Sequence, residues 1–158
     1  MPVLDPDAAR EFIQRRQREG GRVAFTEGAF DLLHPGHVRY LRAARATADA
    51  LVVGIHADDI VRRAHGPGRP INPAGERAEI VAALDDVDAA VIVDDSASPA
   101  LVTALQPDVL VTEANDAGRA IPGRDLVEAR GGRVVVLAVE HAWSTTSIIE
   151  QIQRQTRS

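Results

Sequence analysis

The sequence predicts an α/β fold: a Rossmann-like, doubly wound sheet of about five parallel strands, helices on both faces and an extra N-terminal helix. Three observations predict it. Short β-branched runs alternate with helical patterns along nearly the whole chain. The run ALVVGIHA (50–57) is continuously apolar rather than alternating, as a strand covered on both faces must be. Strand–helix alternation calls for right-handed crossovers, which lay helices on both faces of a parallel sheet.

Taken in order, residues 5–19 carry the N-terminal helix and RVAFT (22–26) the first strand. GHVRYLRAARATA (36–48) sets Val38, Leu41 and Ala44 at helical spacing. ALVVGIHA follows as the second strand, and NPAGERAEIVAAL (72–84) is a helix with Asn72 as N-cap and Pro73 at its first position. AAVIV (89–93) is the third strand and SPALVTAL (98–105) a short helix. DVLVT (108–112) is the fourth strand, and GRDLVEARG (123–131) is a short helix closed by Gly131 and Gly132. RVVVLA (133–138) is the fifth strand. STTSIIEQIQRQ (144–155) is the last helix, capped by Ser144 or Thr145. No repeat or linker interrupts this order, so one domain is expected over 1–158, with the extra helix in 1–20 and the core in 21–155.

Composition narrows the partners. The net charge of -5 offers no basic surface for nucleic acid or an anionic membrane, so any phosphate site must be local. All 18 cationic side chains are arginine, and arginine does not replace lysine at a point-charge site. Without cysteine there are no disulfides, thiol catalysis or thiolate-bound zinc. No apolar run reaches the ~18 residues of a membrane span. The first twenty residues lack the apolar centre of a signal peptide, so a cytoplasmic protein is expected.

In open parallel sheets ligands bind at the carboxyl ends of the strands. Thr26–Asp31, His56–Asp59, Thr112–Asp116 and His141–Thr145 all fall at such ends. At the first, His34-Pro35-Gly36-His37 joins strand to helix. Unpaired N–H groups at a helix start attract anions, Gly36 admits close approach, and two imidazoles add donors for phosphate oxygens. Gly28 would turn tightly beneath the same phosphates. A His-x-x-His pair also arises by chance, and one member could simply cap the helix. Such a pair can share a metal too, although only Asp31 is an obvious further ligand. Ser144, Thr145 and Thr146 put three hydroxyls at the start of the last helix. That is a cap by itself, and a second anion site if it faces His34 and His37.

These residues resemble the nucleotidyltransferase superfamily that carries a His-x-Gly-His signature, within its cytidylyltransferase-like branch. The chain is most similar to adenylyltransferase domains that make ADP-heptose from heptose 1-phosphate. The similarity runs through TEGAFDLLHPGHVRYL, RPINPAGERAEIVAAL, PDVLV, GGRVVVL and WSTTSIIEQIQ, roughly residues 20–155. It implies ATP or CTP with Mg²⁺, held mainly through the phosphates, and a sugar or polyol phosphate acceptor. It also implies in-line attack on the α-phosphorus, departure of pyrophosphate and a homodimer.

Residue by residue, the resemblance implies that His34 and His37 contact the triphosphate and stabilise the transition state. Thr26, Gly28, Ala29, Phe30, Gly36, Thr112 and Asn115 would surround the nucleotide. Ser144, Thr145 and Thr146 would hold its outer phosphates. Asp31, Asp58, Arg69 and Arg77 would serve the acceptor; Arg77 could alternatively pair with Glu76 or Glu79 on the helix surface.

Three departures stand out. In the loop DDIVRRAHGPGRP, Arg62 and His65 fall where the family carries lysines, and Arg62 is the expected stand-in. TEANDAGRAIPG replaces a Lys-Gly-x-Asp-like loop. Glu27 places a carboxylate where a neutral residue is usual. They leave open a CTP-dependent transfer to glycerol 3-phosphate or a similar small phosphate, and a nucleotide-binding protein with little turnover. A metal-dependent hydrolase built on His34 and His37 is the remaining reading.

Overall fold

The computed structural model describes residues 2–94, 99–114, 120–138 and 144–156. The elements run β1 (Val3–Leu4), α1 (Pro6–Arg18), β2 (Val23–Gly28), α2 (Pro35–Arg45), β3 (Ala50–His56), α3 (Asp58–His65) and α4 (Ala74–Ala82). They continue β4 (Ala89–Val93), α5 (Pro99–Leu105), β5 (Val109–Glu113), α6 (Arg124–Ala129), β6 (Arg133–Leu137) and α7 (Thr145–Thr156). The strands form a six-stranded sheet in the order β1-β4-β3-β2-β5-β6. Every neighbouring pair is parallel.

Period-two alternation divides the strand residues between two cores. Ala24, Leu51, Val53, Ile55 and Val109 pack on one face against Tyr40, Leu41 and Ala44 of α2 and Ala78 and Val81 of α4. Val23, Phe25, Val52, Val91 and Leu110 pack on the other against Ala9 and Ile13 of α1, Val102 of α5 and Val127 of α6. The chain leaves β2 toward β3 and β4, then returns across the sheet to β5 and β6. The winding therefore reverses at β2, and a crevice opens beyond its carboxyl end.

Two elements differ from the sequence expectation. The sheet has a sixth strand, β1, which pairs Val3 with Ala90 and Leu4 with Val91. Two residues are too few to show a period, so only the neighbouring β4 defines them as strand. Residues 58–65, expected as loop, form α3. Its apolar content is short, but Ile60 and Val61 are buried. Asp58 and Asp59 lie in its first turn and Arg62, Arg63 and His65 in its last, as the helix dipole favours.

The start of α4 also shifts. Pro73 is its N-cap residue and makes no side-chain cap bond. Instead, Asp58 accepts from Ala74 N at 2.8 Å, so a carboxylate from α3 caps α4. Asn72 turns away and donates Nδ2–H to Asp31 O at 3.1 Å. Ser144 caps α7 as expected, accepting from Ser147 N at 3.0 Å.

Candidate active site

A cleft of about 880 Å³ lies at the carboxyl ends of β2, β3 and β5. It collects Gly28, Ala29, Phe30, Asp31, His34, Gly36, His37, Arg69, Thr112, Ser144, Thr145 and Thr146. Most residues expected to act together are thus brought together. Thr26, Asp58, Arg62 and Arg77 do not line the cleft, and Asn115 lies outside the described residues.

His34 is the N-cap residue of α2 and makes no side-chain cap bond. Its carbonyl accepts from His37 N at 3.0 Å. Pro35 lacks an N–H, so Gly36 presents the first donor of this helix to the cleft. The two imidazoles stack, with centroids 3.7 Å apart and planes at 20°. Phe30, at φ 46°, tilts its ring 5.2 Å from that of His37. Gly28 makes room for this ring, since a Cβ there would lie 3.0 Å from Phe30 Cε2.

Burial lowers the pKa of His34. Burial, reinforced by the neighbouring His34, pushes His37 down to about 4, and a hydrogen bond with the Leu32 backbone opposes the shift. Both rings are therefore neutral at pH 7, each able to offer one N–H. Their Nδ1 atoms are buried without a hydrogen-bond partner among the described residues. Buried polar atoms are rarely left so, which marks the pair as a place for a ligand.

The start of α7 reaches the same loop. Thr145 Oγ1 lies 3.5 Å from Leu32 N and 3.4 Å from Leu32 O, at the limit of hydrogen bonding. The α2 and α7 N-termini therefore face one cleft, with Leu32 linking them.

Several expected ligands turn inward instead. Asp31 has a fully buried side chain. It accepts from Arg69 Nε at 2.5 Å, Ile71 N at 2.8 Å and Asn72 N at 3.0 Å. Burial alone would raise its pKa, but the Asn72 and Ile71 N–H groups and Arg69 hold it below the usual range. Both oxygens are thus engaged by the protein. Arg69 lines the cleft and ties the segment before α4 to Asp31.

Arg77 is buried at 1% exposure. It donates to Asn72 O at 2.8 Å, to Ala29 O, to His56 O at 2.8 Å and to Asp58 Oδ1 at 2.7 Å. It ties three segments beneath the cleft rather than pairing with Glu76 or Glu79. Asp58 Oδ1 accepts from both Arg77 and Ala74, while the carboxylate still reaches solvent. Arg62 sits on the outer side of α3, 2.6 Å from Asp59, with half its side chain exposed. Thr26 is buried and shares a hydrogen bond of 2.7 Å with Tyr40 Oη.

The cleft also includes Glu27, His56, His65 and Glu113, for which the sequence predicts no binding role. Glu27 Oε1 lies 3.8 Å from His56 Nε2. Among the described residues Glu27 Oε2 and His56 Nε2 both lack a hydrogen-bond partner. The available signal was the strand-end position of Glu27, His56 and Glu113, and for His65 its place in the segment where the family carries lysines. Among the described residues no group of three His, Cys, Asp or Glu side chains could hold a metal. Among the described residues no helix is long and apolar enough to cross a membrane.

A family model described as cytidylyltransferase-like matches residues 25–151. The chain is 42% identical over 146 residues to the bifunctional protein HldE of Syntrophotalea carbinolica, covering 92% of this chain and 30% of that one. It is 44% identical over 151 residues to the bifunctional protein HldE of Geotalea uraniireducens, covering 96% and 31%. The chain thus spans about a third of the length of these relatives. Among solved structures, a lipopolysaccharide core biosynthesis protein from Thermoplasma volcanium superposes with a TM-score of 0.61 at 24% identity, covering 77% of this chain and 98% of that one. A pantoate-beta-alanine ligase from Francisella tularensis reaches 0.62 at 14% identity, covering 89% and 67%. These two likenesses bear on the fold alone. With the family match extending from the first core strand into the last helix, around both helix N-termini of the cleft, the chain belongs to the cytidylyltransferase-like family of nucleotidyltransferases.

Proposed function

We propose that the chain transfers AMP from ATP to heptose 1-phosphate, giving ADP-heptose and pyrophosphate, and that it does so in the cytoplasm as a homodimer. The observation that carries this reading is the pair of helix N-termini, α2 with His34 and His37 and α7 with Ser144 to Thr146, facing one cleft. The identity to bifunctional HldE proteins across most of this chain supports the sugar phosphate as acceptor.

In this reading an acceptor phosphate oxygen bonds to the α-phosphorus as the bond to the bridging oxygen of the β-phosphate breaks. Pyrophosphate carries away that electron pair, and no covalent enzyme intermediate forms. The N–H of Gly36 and the neutral rings of His34 and His37 donate to oxygens whose charge grows during attack. Ser144, Thr145 and Thr146 hold the outer phosphates, and Thr112 borders the nucleotide. Asp31, Asp58, Arg69 and Arg77 shape the cleft from beneath.

Mg²⁺ is the proposed cofactor. The protein offers no cage of three side chains among the described residues, and both Asp31 oxygens are engaged. A hydrated ion bound to the nucleotide phosphates suits such a cleft. It would neutralise phosphate charge.

The test is pyrophosphate release with Mg²⁺ for ATP, CTP, GTP and UTP against heptose 1-phosphates, hexose 1-phosphates and glycerol 3-phosphate. Turnover with ATP and heptose 1-phosphate, lost in His37→Ala, is the expected result. Turnover only with CTP and glycerol 3-phosphate would assign the alternative cytidylyltransferase. One observation favours a nucleotide-binding protein with little turnover: Glu27, Asp31 and Glu113 line the cleft, and Arg69, its arginine among the described residues, is held by Asp31. Nucleotide binding with silence across every acceptor would support that reading.

A further inference from the structure

We propose that Glu27 and His56 read the hydroxyl groups of the acceptor and set its specificity. The inference rests on the transferase reading above and names a subsite within it.

The argument begins with the pleat. Glu27 on β2 pairs in register with Gly54 of β3, and His56 follows two residues later. Two-residue spacing puts Glu27 on the face of Phe25, and His56 on the face of Val52. Phe25 and Val52 belong to the same core. Beyond that core the face ends in this carboxylate and this imidazole. Gly54 makes the arrangement possible, since a Cβ there would lie 3.0 Å from Glu27 Cβ and 2.9 Å from Phe25 Cζ.

The pair lies on the opposite face from α2, which packs with Leu51, Val53 and Ile55. The histidines at the start of α2 and the Glu27–His56 pair thus approach the cleft from different sides. The pair is also on the β3 side of β2, whereas Thr112, assigned to the nucleotide, comes from β5 on the other side.

Both heads are unsatisfied. Glu27 Oε2 and His56 Nε2 are buried with no hydrogen-bond partner among the described residues, and the 3.8 Å between Glu27 Oε1 and His56 Nε2 is too long for a mutual hydrogen bond. Leaving such atoms unpaired is costly, so a ligand that supplies the missing partners gains affinity. A phosphate cannot serve Glu27, because it carries the same charge and no donor. A hydroxyl suits both atoms, donating to the carboxylate and either donating to or accepting from the imidazole. A polyhydroxylated phosphate carries its charge at one end and its hydroxyls along the rest, which matches a cleft with phosphate donors on one side and this pair on the other. A site that pairs with a substrate hydroxyl discriminates strongly against analogues lacking it.

The test uses the intact chain with two variants, Glu27→Gln and His56→Phe. ATP affinity is measured by calorimetry with Mg²⁺, and KM and kcat by pyrophosphate release with heptose 1-phosphate and glycerol 3-phosphate. The expected result is an ATP Kd within about twofold of the parent and a KM for heptose 1-phosphate raised at least tenfold. The preference for heptose 1-phosphate over glycerol 3-phosphate should shrink accordingly. Unchanged acceptor KM and preference in both variants would overturn the proposal while the transferase reading stands. A weakened ATP Kd, a higher Mg²⁺ requirement, or loss of kcat alone would also overturn it, assigning the pair to the nucleotide, its ion or the chemistry. A parent protein that binds ATP but turns over none of these acceptors would overturn the transferase reading, and this inference with it.

Discussion

Arg77 Nη2 lies 2.7 Å from Asp58 Oδ1, joining a fully buried guanidinium to a carboxylate that still reaches solvent. The same guanidinium holds the Ala29, His56 and Asn72 carbonyls. One side chain thereby gathers the ends of β2 and β3 and the start of α4. Arg77→Ala would leave these acceptors unpaired. A loss of about 3–5 kcal/mol in urea unfolding is expected. Arg77→Lys should recover little of it, because one ammonium cannot span the planar fork. Had Arg77 served a phosphate, its removal would instead weaken substrate binding with little change in stability.

His37 makes stability depend on pH in a defined window. Its pKa falls from 6.5 to about 4 on folding, so the unfolded chain binds the extra proton between those values. The stabilising contribution is fully present above pH 6.5 and is lost as pH falls toward 4, up to about 3 kcal/mol. Asp31, also lowered, adds a further loss below its ordinary value of 3.8. Chemical unfolding at intervals from pH 7 to 4 should show the decline, and His37→Gln should flatten it.

Arg62→Ala is expected to change stability by less than about 0.5 kcal/mol and to leave ATP affinity unaltered. Its partner Asp59 is 83% exposed, and exposed pairs contribute little. Denaturation and calorimetry on one preparation would check both. A large fall in ATP affinity would mean that α3 turns Arg62 into the cleft when nucleotide binds.

The start of α7 carries a cap and a ligand site in adjacent residues. Ser144→Ala removes the acceptor for Ser147 N and should cost about 1 kcal/mol locally. Because α7 buries none of its residues, the loss should appear as faster amide exchange in α7 rather than a lower global midpoint. Thr145→Val keeps the shape, deletes the hydroxyl and should weaken ATP binding roughly tenfold, the size of one charge-assisted hydrogen bond.

The residues His34 to His37 and Ser144 to Thr146 were legible because each motif is local: a helix start announces itself by the residue types that begin it. That they share one cleft was legible only through the rule that parallel strands present their carboxyl ends together. The burial of Arg77 was not legible for a physical reason. Within GERAEI it has the setting of a surface residue, and its four acceptors come from three other segments. The same holds for Asp31, whose partners lie about forty positions away, at Arg69, Ile71 and Asn72. The segment 58–65 was illegible as helix because its short apolar face matters only once Ile60 and Val61 meet the body of the protein.

By itself, then, the amino-acid order determined the alternating α/β architecture, the strand-to-helix junctions and the chemistry offered there. Each depends on neighbours within a few residues and on a period of two or 3.6. Only the tertiary structure decided which polar groups remain for a ligand. Asp31 is held by Arg69, Ile71 and Asn72, and Arg77 by Asp58 and three carbonyls, whereas His34, His37, Glu27 and His56 keep atoms at the cleft that are unpaired among the described residues. A hydrogen bond consumes its donor and acceptor wherever in the chain they originate, so that distinction exists only after the chain has folded.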